Sequence, residues 1–305
     1  TLTVRKHPVA SILSVAPNST VEGTMVTFNA TSSDEDGSVV EYEWKSSRDG
    51  VFGDVQNLTS SNLSAGYHQI TFRVIDNDNL WSVQSFASLY VNSIPLANIT
   101  AISPQIAYKN NLTSTTATFS GSVSDNDGNI THYFWNSSKN GVLSTSGNFT
   151  FNLTNLMVGN HTIYFQGRDN YTTWSPVVAT WLQVKAYPNA MISSQSTYST
   201  DEDVEVLFSG SGTDEDGTIS GYEWNSSRDG VLSHSSSFST TSLSAGYHVV
   251  TFKTRDNDSL WSQAVVTHIY INDIPTAQIG GISPQIAYKN NLTSTTATFS
   301  GSVSD

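Results

Sequence analysis

The chain has 305 residues, of which 37% are hydrophobic, 11% aromatic and 13% charged, and its formal net charge is −13 at pH 7. Nucleic acid is not expected as a partner, because its phosphates would repel so acidic a protein. Disulfide bonds and thiolate metal sites are excluded, because there is no cysteine. No run approaches the roughly 20 apolar residues of a spanning helix, so the sequence predicts no membrane span.

The first segment of the chain recurs at the end of each later repeat. The sequence TLTVRK (1–6) matches SLYVNS (88–93), WLQVKA (181–186) and HIYIND (268–273). A proline follows each copy closely, at Pro8, Pro95, Pro188 and Pro275, so that the spacings are 87, 93 and 87 residues. We therefore predict that residues 1–6 are the last strand of a preceding repeat. Three full repeats then follow at 7–93, 94–186 and 187–273, with the N-terminal part of a further repeat at 274–305.

The repeats are of two alternating types. A stretch of 24 residues, ISPQIAYKNNLTSTTATFSGSVSD at 102–125, recurs letter for letter at 282–305. We call the repeats at 7–93 and 187–273 type A, and those at 94–186 and 274–305 type B. Near-identical internal copies are typical of repeat proteins, whose modules share one mechanical role.

Three landmarks follow one another in each full repeat. The first is an acidic turn, which reads SSDEDGSV (32–39), VSDNDGNI (123–130) or GTDEDGTI (212–219). The second is an aromatic strand with its turn, which reads YEWKSSRDGV (42–51), YFWNSSKNGV (133–142) or YEWNSSRDGV (222–231). The third is a long strand with a second acidic loop, which reads LSAGYHQITFRVIDNDNLWS (63–82), LMVGNHTIYFQGRDNYTTWS (156–175) or LSAGYHVVTFKTRDNDSLWS (243–262).

Hydrophobic residues alternate along these segments with a period of two, which indicates half-buried strands. In residues 66–76, for example, His68, Ile70, Phe72 and Val74 share one face. About 90 residues with some seven short strands is the pattern of an immunoglobulin-like sandwich. The predicted fold class is therefore all-β: tandem immunoglobulin-like β-sandwich domains arranged as an extended rod. The predicted core consists of one Phe and one Trp position, namely Phe28, Phe119, Phe208 and Phe299 with Trp44, Trp135 and Trp224.

The repeats resemble the PKD domain. The matching features are F-x-A/G-x-x-S/T-D-x-D-G, then Y-x-W, then G-x-x-x-I/V-x-F leading to Asp76, Asp169 or Asp256. The chain departs from the family where EWKSSRDG, or its equivalent, replaces the usual W-x-F-G-D-G. This variant is similar to PKD-like repeats of large archaeal and bacterial cell-surface proteins. The resemblance implies protein or carbohydrate contacts and the spacing of other modules, and it implies no catalytic activity.

The two acidic loops of each repeat are candidates for a calcium site. In a sandwich, the loop after the second strand and the loop after the sixth lie at the same end, so their carboxylates should approach one another. Oxygen-rich groups of this kind suit a hard cation. A second interpretation is that these are Asp-initiated turns, which need Gly37, Gly128 and Gly217 for a positive φ. The middle repeat should bind calcium worst, because Tyr171 replaces an aspartate. The candidate ligands are Asp34, Asp36, Asp76, Asp78, Asp125, Asp127, Asp169, Asp214, Asp216, Asp256 and Asp258.

One histidine and one tryptophan recur in the third landmark. Each of His68, His161 and His248 lacks a second His or Cys at ligand spacing. We predict half-buried histidines that hydrogen-bond a neighbouring turn. The tryptophans are predicted to cap the core, and the alternative is that they stack on a glycan; they are Trp81, Trp174 and Trp261.

N-linked glycans are expected on a subset of fifteen N-x-S/T sequons. The alternative is that a chain rich in Ser, Thr and Asn generates sequons in its turns. The candidate residues are Asn18, Asn29, Asn57, Asn62, Asn98, Asn111, Asn129, Asn136, Asn148, Asn152, Asn160, Asn170, Asn225, Asn257 and Asn291.

No catalytic motif is found, and no redox or organic cofactor is expected. The favoured interpretation is a non-catalytic extracellular protein of the cell surface, a stalk, sheath, filament or adhesin, of archaeal type. Its partners would be other copies, neighbouring repeats, or surface glycans and proteins. The alternative is a set of polysaccharide-binding spacer modules from a secreted hydrolase.

Overall fold

The computed structural model describes residues 4–109, 116–283 and 296–304. They form two compact units. The first unit reaches to Val184, and the second begins at Lys185 and also includes Tyr108 and Lys109. The expected extended arrangement of the repeats stays a prediction.

The first repeat is a sandwich of two sheets. One sheet has three strands in the order β1-β3-β6, and the other has five in the order β2-β8-β7-β4-β5. Neighbours are antiparallel except β2 and β8, which run parallel. The strands are β1 (Val9–Ala16), β2 (Ser19–Val21), β3 (Val26–Ser33), β4 (Val39–Ser46), β5 (Gly50–Gly53), β6 (Leu58–Ser60), β7 (Gly66–Asp76) and β8 (Ser85–Asn92).

The second repeat has the same two layers, with sheet orders β14-β11-β9 and β10-β16-β15-β12-β13. A single 3₁₀ turn, Leu153–Asn155, follows β14. The strands are β9 (Leu96–Ser103), β10 (Ile106–Lys109), β11 (Thr116–Ser124), β12 (Ile130–Ser137), β13 (Gly141–Ser144), β14 (Asn148–Asn152), β15 (Gly159–Asp169) and β16 (Val178–Ala186).

The third repeat matches the first strand for strand, with sheet orders β17-β19-β22 and β18-β24-β23-β20-β21. Its strands are β17 (Asn189–Gln195), β18 (Ser199–Asp201), β19 (Val206–Thr213), β20 (Ile219–Ser226), β21 (Gly230–Ser233), β22 (Ser237–Thr240), β23 (Gly246–Asp256) and β24 (Val265–Asn272). Sandwich sheets in every full repeat confirm the predicted all-β fold class.

The ends of the chain are less regular. Residues 4–8 lie outside the strands, and 1–3 lie outside the described residues, so the predicted strand at 1–6 stays untested. After Asn272 the chain forms an antiparallel pair, β25 (Thr276–Ser283) with β26 (Thr298–Ser304). Phe299 is 74% exposed there, in contrast to its buried counterparts, because no second sheet covers this pair among the described residues.

Each core is built around the predicted tryptophan. Trp44 is fully buried; its ring centroid lies 5.5 Å from that of Phe28 on the opposing sheet and 4.5 Å from that of Phe72 on the neighbouring strand. The alternation in β3 and β7 places the apolar side chains inward, as the period of two predicts, and Met25, just before β3, is 57% exposed. The same packing recurs around Trp135 and Trp224. One framework therefore presents the same loops three times.

Candidate functional site

The acidic end of each repeat is formed where the loop after β3 meets the end of β7, or the equivalent strands. Asp76 closes β7 and is 1% exposed. Its Oδ1 accepts the backbone N–H groups of Asp78 and Leu80, at 2.8 and 2.9 Å, so this carboxylate organises its own loop. Asn77 Oδ1 accepts the Ser38 N–H at 2.7 Å and joins the two loops. The predicted proximity of the two acidic loops is therefore present.

The glycine of the first acidic loop has a different role from the one predicted. Gly37, Gly128 and Gly217 are not among the residues with positive φ, so the turn does not require a left-handed backbone at these positions. A Cβ at Gly37 would instead overlap Asn77 Oδ1 and lie 2.5 Å from Asp34 Oδ2. The glycine is needed for the close approach of the two loops.

Several carboxylate oxygens at the acidic ends are buried without a hydrogen-bond partner. In type A repeats they are Asp34 Oδ1 with Asp76 Oδ2, and Asp214 Oδ1 with Asp256 Oδ2. Burial, followed by repulsion from Asp216 and Asp256, raises the pKa of Asp214. Within the described ranges, however, no group of three or more His, Cys, Asp or Glu side chains could hold a metal ion. Each type A end therefore offers two carboxylates to a cation, and any further ligands would have to be backbone oxygens or water.

The second aspartate of each first loop binds the segment that precedes the repeat. The Lys6 N–H donates to Asp36, at 3.0 Å to Oδ2. The Ser93 N–H lies 3.2 Å from Asp127 Oδ1 and Oδ2, and the Ala186 N–H lies 3.0 Å from Asp216 Oδ1. This contact is independent of side-chain identity, so it recurs at all three acidic ends.

The linker residue just before this N–H differs between the two repeat types. Before the type A repeats it is basic: Arg5 pairs with Asp78, and Lys185 Nζ lies 2.5 Å from Asp258 Oδ1. Before the type B repeat it is Asn92, whose Nδ2 donates to Asp169 Oδ2 at 2.7 Å and to Thr173 Oγ1 at 2.9 Å. We call Asp78 and Asp258 the outer aspartates of the type A ends. They bind the linker rather than a cation site at Asp34 or Asp214.

The type B end also contains tyrosines and a serine. Tyr90 OH donates to Asp127 Oδ2 at 3.0 Å, and its ring centroid lies 4.8 Å from that of Tyr171. The Ser93 hydroxyl contacts both Asp125 and Asp127. Burial opposes ionisation of Asp127, but hydrogen bonds from Ser93 and Tyr90 outweigh it and lower its pKa. The Asp127 carboxylate is thus stabilised by neutral donors, whereas Asp125 Oδ2 is buried without a hydrogen-bond partner.

These linker contacts were not anticipated from the sequence, although a signal was present. Aligning the repeats by their prolines places Arg5 and Lys185 opposite Asn92, and aligning them by the aspartate that ends the long strand places Asp78 and Asp258 opposite Tyr171. The linker residue and the loop residue therefore change together between the repeat types, as expected of residues in contact.

The recurrent histidines lie deeper than predicted, and each fixes a turn. His68 is 1% exposed; its Nδ1 lies 2.7 Å from Ser46 Oγ and its Nε2 lies 2.6 Å from the Ser64 carbonyl, so Nε2 carries the proton. Ser46 Oγ also accepts the N–H groups of Arg48 and Asp49. The Ser46 hydroxyl, the His68 imidazole and the Asp49 carboxylate thus lie together. The Ser46 oxygen, however, is buried and already accepts two N–H groups of the turn.

The type B repeat differs at this turn. Asp49 Oδ2 lies 3.5 Å from His68 Nδ1, and Asp229 Oδ2 lies 3.4 Å from His248 Nδ1. The equivalent residue in type B is Asn140, and Lys139 is its neighbour. Burial lowers the pKa of His161, and Lys139 lowers it further. The type B histidine therefore has no carboxylate at this turn to balance an added proton.

The recurrent tryptophans lie beside the acidic loop rather than over the core. Trp81 forms an isolated bridge with Ile75, and the Arg73 guanidinium lies 4.0 Å from the centroid of its ring. Trp174 is 38% exposed next to Arg168. A basic side chain thus lies over the face of each ring.

The sequons fall into three groups. Asn29, Asn136, Asn152 and Asn225 are partly buried, and Asn111 and Asn291 lie outside the described residues. Both neighbouring strands pair with Asn136 and with Asn225. The exposed residues are Asn18, Asn57, Asn62, Asn98, Asn129, Asn148, Asn160, Asn170 and Asn257.

Comparisons with known proteins agree with this architecture. The PKD domain model matches residues 12–88. The dyslexia-associated protein KIAA0319-like protein of Mus musculus is 27% identical over 301 residues, which is 90% of this chain and 28% of that protein. The chain therefore spans under a third of the length of this curated relative.

Two solved structures of tandem domains are also similar. The N-terminal eight Ig domains of Down syndrome cell adhesion molecule align with 88% of this chain and 37% of their own, at 11% identity and a TM-score of 0.51. An I-band fragment of titin aligns with 89% of this chain and 100% of its own, at 14% identity and a TM-score of 0.48. The first similarity shows an immunoglobulin-like fold. No helix among the described residues is long and apolar enough to cross a membrane.

We predict that acidification destabilises the type B repeat through His161. Its folded-state pKa is below the unfolded value of about 6.5, so the unfolded chain binds more protons and stability falls as the pH drops below that value. Urea unfolding of the full chain at pH 7.5 and 5.0, followed by hydrogen exchange in β15, measures the loss.

The matched variant is His161→Gln, whose amide can still donate to Met157 and accept from Ser137. Its β15 stability should change less between the two pH values than that of the natural chain. An equal loss in both proteins would contradict the assignment to His161.

Proposed function

We propose that this chain is part of a non-catalytic extracellular repeat protein, a stalk, sheath, filament or adhesin at the cell surface. One observation carries the proposal: the most acidic site of each full repeat binds the chain segment that precedes it, through Asp36, Asp127 and Asp216. The carboxylates at these ends therefore connect each repeat to the segment before it. The PKD match and the tandem immunoglobulin-like sandwiches support this proposal.

Exposed aromatic side chains support contacts with partners. Tyr67 is 73% exposed and Phe86 56% exposed, and both lie beside a shallow groove on the five-stranded sheet of the first repeat. Flat apolar rings of this kind suit another copy of the chain, a surface protein or a glycan. This surface also supports the alternative of polysaccharide-binding spacer modules.

The proposal predicts that the full repeats bear load independently. Stretching the full chain in single-molecule force spectroscopy should give three unfolding events, each releasing about 30 nm of chain, because some 90 residues extend by about 3.5 Å each. One cooperative event releasing the whole chain would argue against separate mechanical modules.

A second prediction concerns the proposed N-linked glycans. Glycopeptide mapping of material from the native cells should find sugars at exposed sequons such as Asn18, Asn62, Asn98 and Asn160. Asn136 and Asn225 should be unmodified, because each lies in a strand paired on both sides. Complete absence of sugars would remove this support for an extracellular surface, and occupied strand sites would contradict the structural assignment.

We further propose that the type A acidic ends bind a structural calcium ion. The unpartnered oxygens of Asp34, Asp76, Asp214 and Asp256 favour it, because buried carboxylates without donors are costly. Asp214 and Asp256 would hold the ion in the third repeat, together with backbone oxygens or water. In the type B repeat Asn92 already occupies Asp169 Oδ2, which fits the prediction that the middle repeat binds worst.

The calcium proposal is tested with Asp214→Asn and the matched change Asp229→Asn, which lies in the same repeat but away from the acidic end. Calcium should raise the melting temperature of the third repeat above its value in chelator, and Asp214→Asn should abolish that increase. In chelator, Asp214→Asn should itself stabilise the repeat, because it removes a carboxylate that resists ionisation. No difference between calcium and chelator would refute the site.

A further inference from the structure

The acidic ends combine a general contact with a selective one. The general contact is the linker N–H bound by Asp36, Asp127 or Asp216, and it is available to any residue except proline. The selective contact is made by the preceding side chain, which is Arg5, Asn92 or Lys185. Only the second contact can distinguish one linker from another.

The selective contact follows the alternation of the repeats. A basic linker residue meets an outer aspartate at both type A ends, through Arg5 with Asp78 and Lys185 with Asp258. At the type B end, Asn92 bonds Asp169 and Thr173, and Tyr171 stands at the outer position. Asn272, which precedes the next type B segment, repeats the asparagine. Linker and loop therefore carry matched identities.

Exchanging the linkers would remove the matched contacts. Lysine at position 92 could still reach Asp169, but it would lose the amide bond to Thr173 and would meet Tyr171 instead of a carboxylate at the outer position. Asparagine at position 185 would remove the ammonium group that pairs with Asp258 and is attracted by Asp216. The Lys185 side chain is 18% exposed and that of Asp258 29%, so this pair is partly shielded from water. A mismatch is therefore costly in both directions, which is the requirement for specificity.

We propose that each acidic end is a selective docking surface for the linker that enters it. A type A end accepts a linker with a basic residue before the bound N–H, and a type B end accepts one with asparagine. The covalent chain fixes the order of the repeats, and the pairing makes each joint firmer when the linker and the acidic end that follows it are of matching type.

Hydrogen exchange of the bound amides in the full chain tests this proposal, with chelator present so that calcium does not contribute. We expect Lys185→Asn to speed exchange of the Ala186 amide by about threefold to fivefold, the scale of a partly exposed ion pair. Lys185→Arg should preserve the protection, and Lys45→Asn, at an exposed lysine on β4, is the matched control. Exchange rates are corrected for the intrinsic rate of each sequence.

The decisive experiment moves the type A pairing into the type B end. Asn92→Lys and Tyr171→Asp should each speed exchange of the Ser93 amide, and the double variant should bring it back to within about twofold of the natural rate. The restored protection should also become salt-sensitive, since raising salt from 0.01 to 1 M shortens the Debye length from about 30 to about 3 Å.

Two results would overturn the proposal. One is natural protection in the mismatched single variants, which would mean that the side chains do not select. The other is a double variant in which the Ser93 amide exchanges as fast as the added effects of the two single changes predict. If exchange in β15 also rises, the variant has lost structure locally and does not test the proposal. The Lys185 variants are then decisive, because unchanged protection of the Ala186 amide in Lys185→Asn rejects the proposal.

Discussion

A single buried aspartate at the end of the long strand organises the acidic end of each repeat. One oxygen of Asp76, Asp169 or Asp256 binds the backbone of the following loop, and the other oxygen of Asp169 accepts a hydrogen bond from the linker residue Asn92. Because these carboxylates are almost fully buried, their second oxygens require donors or a cation, and the two repeat types differ here: Asn92 supplies a donor to Asp169 in type B, whereas the second oxygen of Asp76 and of Asp256 has no hydrogen-bond partner in type A. The glycine allows the neighbouring loop to approach Asn77, next to this aspartate, and the linker residue Asn92 bonds the aspartate directly in type B.

The fold was predictable because its signals are local and repeated. The period of two identified the strands, and the recurring Phe28, Trp44 and Phe72 positions identified the core that holds the sheets together. The sequence also indicated that the acidic loops share one end of the sandwich. Phe299 is the exception, because an inward position is buried only when a second sheet covers it.

The details of the site were harder to predict because they depend on three-dimensional approach. The DEDG pattern suggests a turn glycine with positive φ, whereas Gly37 is required by the proximity of Asn77. The same pattern suggests that all its carboxylates face one cation, whereas Asp36 and Asp78 turn to the linker. Whether the remaining oxygens bind calcium depends on backbone and water ligands that no sequence motif specifies. The histidines were predicted to contact a turn, but their complete burial depends on packing across the sheets.

The parallel pairing of β2 with β8 has a mechanical consequence. The chain enters the first sandwich through β1 of the three-stranded sheet, crosses to β2 of the five-stranded sheet, and leaves just after β8. Tension that reaches β2 and β8 therefore pulls these two strands in opposite directions along their common axis. Their hydrogen bonds are then strained together in shear rather than opened one after another like a zip. The third repeat has the same pairing between β18 and β24, so resistance to pulling is built into the place where each of these modules meets its neighbours in the chain.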